Sequence, residues 1–235
     1  MMVALIVGTH LWYPRGAALA RYDFLFLAAL AIQAGMLAFR LETLEEAKVI
    51  LLFHVVGTIM EIFKTGVGSW IYPEPNFFRI GGVPLFSGFM YASIGSYIAR
   101  VWRLFDFRFT HHPPLWAVYV LAAAIYANFY AHHYTADVRY LLFAAAALLF
   151  GRTWIYFKIW RNYHRMPLLL ACFLNALFVW IAENVGTITK TWLYPHQMAG
   201  WSAVSVGKLG SWFLLLMISY ALVAAVNRPE PLDRP

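Results

Sequence analysis

The sequence predicts an all-α, polytopic membrane protein with seven transmembrane helices, arranged as two parallel three-helix repeats joined by a linker helix. Three observations support this fold class. Hydrophobic residues make up 62% of the 235 residues and charged residues only 12%, the apolar residues fall into seven long runs, and one motif occurs twice. A soluble domain contains about a quarter charged residues, so a water-soluble core does not account for this composition.

The seven runs have the length that a spanning helix needs, about 20 mostly apolar residues. Residues 1–13 are too short to span and are expected at the membrane interface, whereas the polar, proline-containing residues 227–235 are expected to form a flexible tail. We predict one transmembrane domain over 1–226, with repeat one over about 14–110, the linker helix over about 111–137 and repeat two over about 138–226. The predicted spans are 22–39, 47–69, 84–104, 115–133, 139–159, 166–189 and 202–226.

Basic residues between the runs predict the orientation. They concentrate in the third and fifth connections, and the positive-inside rule places these on the cytoplasmic side of a bacterial inner membrane. The N-terminus is therefore expected outside the cell and the C-terminus in the cytoplasm. Because the net charge of +7 forms no single exposed stripe, we expect a membrane surface and no nucleic acid as the partner. The basic residues of the third and fifth connections are Arg100, Arg103, Arg108, Lys158, Arg161 and Arg165.

The repeated motif reads Glu, eight residues, then Trp-x-Tyr-Pro. It occurs from Glu61 to Pro73 and again from Glu183 to Pro195. The motif helices are predicted spans two and six, which an even number of crossings separates, so they run in the same direction. Parallel repeats of this kind commonly hold a site at their interface near the bilayer midplane.

Glu61 and Glu183 are the strongest candidates for chemistry, because an ionisable group at the bilayer centre costs about 3 kcal/mol or more. If a pseudo-two-fold axis relates the repeats, the two carboxyls face a shared cavity, where one stays protonated and the other ionised. Lys64 and His54 lie on the face of Glu61, and Asn184 adjoins Glu183. Lys64 is a further candidate for the chemistry, and His54 and Asn184 are candidates for ligand contacts. The alternatives are a structural Glu61–Lys64 ion pair and an interhelical hydrogen-bond network.

Span four ends in a polar group that contains Asn128, His132 and His133. Asn128 and His133 are candidates for ligand contacts. These histidines, His54 and the two glutamates are compatible with a metal site, but without a His-x-x-x-His pair we expect no metal and interfacial histidines. The sequence does not identify a cofactor. Cys172 is the only cysteine, which excludes an intrachain disulfide.

Lys208 lies within the predicted seventh span. We expect it to extend to the surface or to pair with a glutamate, and a Schiff base with an aldehyde is the less favoured alternative.

The aromatic residues Trp70, Tyr72, Trp192 and Tyr194 follow the buried glutamates. Trp and Tyr commonly anchor helices at headgroup level. The identical spacing to a buried glutamate favours a second role, in which the rings contact a hydrophobic, unsaturated ligand or a cationic intermediate. The prolines and glycines between 73 and 84 predict a short structured lid or re-entrant loop.

Nearly the whole chain resembles the YoaT-like integral membrane proteins of bacteria, an uncharacterised family. That resemblance implies a membrane protein and no particular activity. The segments that carry it are Phe63-Lys64, Gly68-Ser-Trp-x-Tyr-Pro-Glu74, Gly82-Val-Pro-Leu-x-Ser-Gly-Phe-Met-Tyr-Ala92, His132-His133, Trp180-x-Ala-Glu-Asn184 and Ser211-Trp212.

A more distant resemblance is to the membrane carotenoid enzymes, the heterodimer-type lycopene cyclases and the carotenoid hydratases. Glu61, Trp70-x-Tyr72 and Gly82-Val-Pro84 carry it. Those enzymes protonate a polyene, so the resemblance implies that Glu61 is a candidate acid. The cyclases have a Pro-x-Glu-Glu motif where this chain has Pro84-Leu-Phe-Ser87.

The leading hypothesis is therefore a membrane-embedded enzyme that acts on an isoprenoid, carotenoid or other lipid by acid–base chemistry. Glu61 and Glu183 would donate and accept the proton. Lys64, Lys208 and His132 would adjust the pKa values of these two carboxyls. The alternatives are a small-solute transporter with three-plus-one-plus-three parallel repeats, a rhodopsin-like chromophore-binding protein, and a scaffold. The expected partners are membrane lipid and a hydrophobic or small-molecule ligand, and a homo-oligomer is compatible with all of these functions.

Overall fold

The computed structural model of the chain describes residues 1–14 and 16–232. Helices dominate, and two small sheets accompany them. The helices are α1 (Met2–Trp12), α2 (Arg21–Ala38), α3 (Leu44–Gly66), α4 (Phe86–Leu104), α5 (Leu115–Ala131), α6 (Arg139–Phe150), α7 (Leu168–Ile188) and α8 (Val206–Val226). The strands are β1 (Arg79–Ile80), β2 (Val83–Pro84), β3 (Arg108–Thr110), β4 (Trp154–Ile159), β5 (Asn162–Pro167) and β6 (Glu230–Pro231).

Four helices within the described residues are long and apolar enough to cross a membrane, namely α2, α3, α7 and α8. The chain is thus a multi-pass membrane protein. Helices α4 and α5 coincide with predicted spans three and four, but α5 has only 17 residues and α4, with 19, is less apolar than the four candidate spans. The seven-span count therefore stays a prediction.

The predicted fifth span, 139–159, is replaced by a shorter helix and a strand. Helix α6 has 12 residues, about 18 Å at 1.5 Å per residue, which is too short for a hydrocarbon core of about 30 Å. It ends at Phe150, and the aromatic and β-branched residues that follow, from Trp154 to Ile159, pair with β5. Such residues favour extended backbone. The strands show that the prediction of an all-α fold was incomplete.

The chain divides into two compact units. Unit 1 comprises residues 1–97 and 181–204, and unit 2 comprises 98–180 and 205–235, of which 205–232 are described. Helices α4 and α7 contribute residues to both units.

Unit 1 has its core where α2 meets the segment that follows α3. Tyr22 and Phe86 are fully buried, and their rings lie 5.2 Å apart. Helix α3 begins with a capping box, in which Thr43 and Glu46 satisfy each other's backbone N–H groups. Helices α3 and α4 approach closely, since a methyl group added at Gly57 would lie 2.6 Å from the Tyr91 ring.

Unit 2 joins α5, α6 and α8 to a four-stranded sheet of order β5-β4-β3-β6. Phe109 of β3 and Tyr220 of α8 are buried in an aromatic core with Trp102, whose ring stacks on Tyr220 at 5.7 Å.

The C-terminal segment 227–235 was predicted to be a flexible tail. In the structure its residues Glu230–Pro231 pair in parallel with β3, and the Leu232 N–H donates to the Phe109 carbonyl at 3.0 Å. These backbone hydrogen bonds hold residues 230–232 against β3. Residues 233–235 lie outside the described residues.

Candidate functional site

Glu61 is the centre of a buried hydrogen-bond network in unit 1. Its side chain is 3% exposed. The Trp70 indole N–H and the Tyr72 hydroxyl both donate to Oε2 at 2.7 Å, and the Tyr91 hydroxyl donates to Oε1 at 2.8 Å. These three hydrogen bonds come from neutral aromatic donors, whereas the alternative of an ion pair between Glu61 and Lys64 stays a prediction.

A tight turn after α3 brings Trp70 and Tyr72 back to Glu61. The N–H of Gly68 donates to the Thr65 carbonyl, and the N–H of Ser69 donates to the Lys64 carbonyl. Gly68 has φ +72°, a left-handed conformation that glycine adopts at the least cost. The turn reverses the chain, so that the motif folds over the end of its own helix.

The second motif repeats this turn, residue for residue. At the offset that separates Glu61 from Glu183, Lys190 stands for Gly68 and has φ +54°. Its N–H donates to the Thr187 carbonyl, and the N–H of Thr191 donates to the Gly186 carbonyl. The repeat found in the sequence is therefore also a repeat of backbone geometry.

Glu183 has the same relation to its own tyrosine as Glu61 has. It is 5% exposed, and the Tyr194 hydroxyl donates to its Oε1. Tyr72 and Tyr194 each follow the glutamate they contact by eleven residues. The motif spacing thus corresponds to one specific side-chain hydrogen bond.

The two motifs contact each other through equivalent residues. Ile71 and Leu193 form an antiparallel bridge, in which each backbone N–H donates to the other's carbonyl at 2.9 Å. The rings of Trp70 and Tyr194 meet edge to face at 6.1 Å. Glu61 and Glu183 therefore belong to one cluster of side chains, whereas the shared cavity stays a prediction.

The two tyrosines remain protonated hydrogen-bond donors over the physiological range. Burial raises the pKa of Tyr194 well above its ordinary value, and the carboxylates of Glu183 and Glu61 raise it further. Burial likewise raises the pKa of Tyr72, and the Glu61 carboxylate adds to this effect. Both carboxylates thus act on Tyr194.

The motifs differ at one position that matters for packing. Lys64 in the first motif corresponds to Gly186 in the second. A methyl group added at Gly186 would lie 2.0 Å from Cη2 of Trp192, so the Trp192 ring lies directly on the glycine. Lys64 is 5% exposed, and its Nζ lies 5.9 Å from the centre of the Phe63 ring.

Two further predicted ligand contacts lie in unit 1. The His54 ring packs on Phe89 at 4.5 Å, and its buried Nδ1 has no hydrogen-bond partner among the described residues. Asn184 accepts a hydrogen bond from the Val204 N–H at 2.9 Å, so it fixes the segment before α8.

The remaining predicted site residues belong to unit 2, where they have structural contacts. Asn128 donates to Asp137 at 3.1 Å and accepts from the Val138 N–H, which closes the turn between α5 and α6. His132 contacts the Asn128 carbonyl through Nδ1 at 2.8 Å, and its ring lies 4.1 Å from that of His133.

Lys208 is the third residue of α8, within the first turn and not in the middle of the helix. This differs from its predicted position inside the seventh span. Within residues 1–14 and 16–232, no group of three His, Cys, Asp or Glu side chains is placed to hold a metal ion.

Sequence reasoning missed the start of α2 as a support for the site. The Tyr22 hydroxyl donates to the Thr191 carbonyl at 2.7 Å, so α2 reaches the second motif. Arg21 forms a bidentate pair with Glu74, with contacts of 2.6 to 3.0 Å. The polar run Arg21-Tyr-Asp at a helix start was the available signal.

Asp23 organises the loop after the first motif. Its carboxylate accepts hydrogen bonds from the backbone N–H groups of Phe77 and Phe78, both at 2.8 Å, and from Asn76 at 3.0 Å. The β1–β2 hairpin follows. The segment predicted as a structured lid is thus ordered by a residue 53 positions earlier.

Comparison with known proteins identifies the family. The family described as "Protein of unknown function (DUF817)" matches residues 1–220. The uncharacterized protein YoaT of Bacillus subtilis (strain 168) is 43% identical over 210 residues, which cover 89% of this chain and 80% of that protein. The chain belongs to the DUF817 family, and the predicted resemblance to YoaT-like proteins is confirmed.

Solved structures show which fold the chain resembles. A mycobacterial Insig homolog, MvINS from Mycobacterium vanbaalenii, matches with a TM-score of 0.56 and 15% identity, covering 80% of this chain and 98% of that one. A cross-linked trimer of an MvINS variant matches with the same TM-score and coverage. The chain therefore has an Insig-like fold.

Proposed function

We propose that this member of the DUF817 family is a membrane-embedded enzyme that adds and removes a proton on an unsaturated lipid of isoprenoid or carotenoid type, with Glu61 and Glu183 as the proton-exchanging groups. One observation carries the proposal. Two buried carboxylates occupy equivalent positions, each hydrogen-bonded to a tyrosine eleven residues later, and the bridge between Ile71 and Leu193 joins them.

The proposed reaction is an acid–base isomerisation. One carboxyl, protonated, transfers its proton to a carbon–carbon double bond and becomes a carboxylate, which leaves a carbocation on the lipid. The other carboxylate then removes a proton from a neighbouring carbon, so that a double bond forms elsewhere. Protons and charge balance over the cycle, and proton exchange between the carboxyls restores the starting state.

The aromatic residues of the cluster suit this chemistry. The faces of Trp and Tyr rings attract cations, and the attraction is strongest away from water. Trp70, Tyr72 and Tyr194 are all at most 8% exposed. Their hydrogen bonds to the carboxylates hold the acid–base groups in fixed positions, which reduces the reorganisation that the reaction requires.

Two of the alternative functions, transport and chromophore binding, receive less support. A rocking transporter has to separate its repeats during each cycle, and the reciprocal Ile71–Leu193 hydrogen bonds would oppose this. A rhodopsin-like Schiff base needs a desolvated lysine, whereas Lys208 lies in the first helical turn and is only half-buried.

We also propose where the protein lies in the cell and how it assembles. The basic connections favour a cytoplasmic C-terminus in the bacterial inner membrane, and the seven crossings predicted from the sequence would then place the N-terminus outside. A fluorescent protein fused to the C-terminus should then fluoresce. By analogy with the MvINS trimer, we propose a homotrimer, which light scattering of the detergent-solubilised protein would measure.

Deuterium incorporation tests the chemistry directly. The protein is purified in mild detergent, incubated with its co-extracted lipids in D₂O, and the lipids are analysed by mass spectrometry. We expect carbon-bound deuterium in an unsaturated lipid with the wild-type protein, and its loss in Glu61→Gln and in Glu183→Gln. The matched control is Glu45→Gln, because Glu45 lies on α3 but is exposed and paired with Lys48. Deuterium-free lipid with the wild-type protein, or equal incorporation in all four proteins, would overturn the proposal.

A further inference from the structure

We propose that the hairpin formed by β4 and β5 is a binding site for the headgroups of anionic phospholipids. The surface, which we call the basic hairpin, comprises residues 152–167. It rests on observations in unit 2 that are independent of the Glu61–Glu183 cluster.

The charge of the basic hairpin has one sign. It contains Arg152, Lys158, Arg161 and Arg165, and no Asp or Glu occurs between 152 and 167. All four are exposed, and within the described part of the chain none forms an ion pair at 4 Å or less. The nearby acidic residues Asp106 and Glu230 both pair with Arg108, and Asp106 also accepts a hydrogen bond from the Tyr163 hydroxyl of the hairpin at 2.6 Å.

The strand register directs this charge to one face. Opposite residues of an antiparallel pair share a face, and neighbours along a strand alternate. Ile155 points to the core, since it is 5% exposed and pairs with the buried Phe109. Tyr156 and Lys158, opposite Arg165 and Tyr163, therefore lie on the outer face.

Aromatic rings accompany the cations on this outer face. The Arg165 guanidinium lies 5.1 Å from the centre of the Trp154 ring, and the Lys158 ammonium lies 5.8 Å from that of Tyr163. Rings of this kind and basic side chains together are typical of protein surfaces at the headgroup level of a membrane.

The tip of the hairpin carries the largest exposed ring. Trp160, in the turn between the strands, is 87% exposed and has φ +55°, a conformation that bulky residues rarely adopt. Beside it, Ile159 is 49% exposed. Trp160 and Ile159 are thus exposed at a turn that cations flank. This arrangement suits a membrane surface, where anionic headgroups cover an apolar interior.

Chain continuity brings the basic hairpin to the membrane surface. Strand β5 ends at Pro167, and the candidate span α7 begins at the next residue, Leu168. A six-residue strand is about 20 Å long, so no part of the hairpin is far from the end of that span. This favours lipid headgroups over nucleic acid, which would otherwise suit a basic, aromatic surface.

Fluorescence quenching by brominated lipids tests the proposal. The protein is reconstituted into vesicles that contain either brominated phosphatidylglycerol or brominated phosphatidylcholine at the same fraction. The Trp160 signal is the difference between the wild-type protein and Trp160→Phe. We expect stronger quenching by the anionic lipid. Each basic residue near an anionic surface strengthens association roughly fivefold, so the preference should disappear in the combined variant Lys158→Gln, Arg161→Gln, Arg165→Gln.

Salt gives a second measurement that needs no variant. The preference of the wild-type protein should fall as the salt concentration rises from 0.05 to about 1 M, where screening acts over about 3 Å. Equal quenching by the two lipids, or a preference that salt and the triple variant leave unchanged, would overturn the proposal. Binding of a fluorescent oligonucleotide by the detergent-solubilised protein, lost in the triple variant while the lipids quench equally, would assign the hairpin to nucleic acid instead.

Discussion

Ile71 and Leu193, which are 122 residues apart and occupy the same place in the two motifs, exchange both of their backbone hydrogen bonds at 2.9 Å. Within the described residues, each motif therefore has the other motif as its strand partner at this position. The bridge holds two buried carboxylates in one cluster, and it gives a direct way to test whether the motifs act as a unit.

Breaking the bridge from either side should cost the same free energy. Ile71→Pro and Leu193→Pro each remove one N–H donor and disturb the reciprocal bond, so each should lower the free energy of unfolding by about 1–3 kcal/mol. The double variant should cost less than the sum, because the first substitution already opens the bridge. Thermal unfolding in detergent measures this, with Ile71→Val as the control that keeps the bridge. Strictly additive losses would contradict a shared bridge.

The glutamate–tyrosine pairs should show equal coupling in the two repeats. Double-mutant cycles of Glu61→Gln with Tyr72→Phe, and of Glu183→Gln with Tyr194→Phe, should each give a coupling of about 1–3 kcal/mol, since buried members of one network are not additive. The exposed pair Glu45–Lys48 provides the comparison and should give at most about 0.5 kcal/mol. A large coupling in one repeat alone would show that the motifs are similar in sequence but not in energetics.

Gly186 should not tolerate a side chain while Trp192 is present. Gly186→Ala places a methyl group 2.0 Å from the Trp192 ring, and such overpacking costs about 1–3 kcal/mol. Trp192→Phe should recover part of the loss, because the smaller ring leaves room. Gly35→Ala in α2, where nothing lies within 4 Å, should instead stabilise by about 0.5–1 kcal/mol. Thermal unfolding of these variants and the wild type makes the comparison, and a Gly186→Ala variant as stable as wild type would contradict the packing described.

His112 should make unit 2 less stable in acid. Its Nδ1 lies 2.6 Å from the Pro113 carbonyl, which can only accept, so Nδ1 carries the proton and Nε2 accepts from the Tyr220 hydroxyl at 2.7 Å. Burial lowers the pKa of His112 below its ordinary value of 6.5, against the opposing effect of the Pro113 hydrogen bond.

The unfolded chain binds a proton at His112 at a higher pH than the folded protein does. As the pH falls through 6.5, the unfolded chain becomes protonated at this residue while the folded protein remains neutral, so stability is present above pH 6.5 and lost as the pH falls towards the folded pKa. The melting temperature should therefore drop between pH 7.5 and about 5, and less so in His112→Gln, with the exposed His10→Gln as the control. The same drop in all three proteins would exclude His112 as its source.

The repeat and the clustering of Glu61 with Glu183 were accessible from the sequence, because both depend on the spacing of a few distinctive residues. The spacing specifies a turn, and the turn returns Tyr72 to Glu61 in one motif and Tyr194 to Glu183 in the other. The donors Trp70 and Tyr72 were identified as neighbours of the site, although their bonds to the carboxylate were not.

Two kinds of contact could not be predicted. The pairs of Arg21 with Glu74 and of Asp23 with the loop after the first motif join residues more than 50 positions apart, and no local pattern signals such a pairing. The residues from Trp154 to Ile159 are as apolar as a helix end, so composition placed them in a span. Their extended conformation depends on pairing with β5 and β3, which hydropathy does not measure.

The four-stranded sheet ends in two open edges, and its sequence protects both from recruiting strands of other molecules. At one edge, β6 is only two residues long and contains Pro231, which has no N–H to offer. At the other, β5 carries Arg165 and ends at Pro167. Charged and proline residues are the usual means by which proteins prevent edge-to-edge aggregation. The cations of the basic hairpin thus also oppose edge-to-edge pairing between copies of the chain, and neutralising them should promote aggregation of the detergent-solubilised protein.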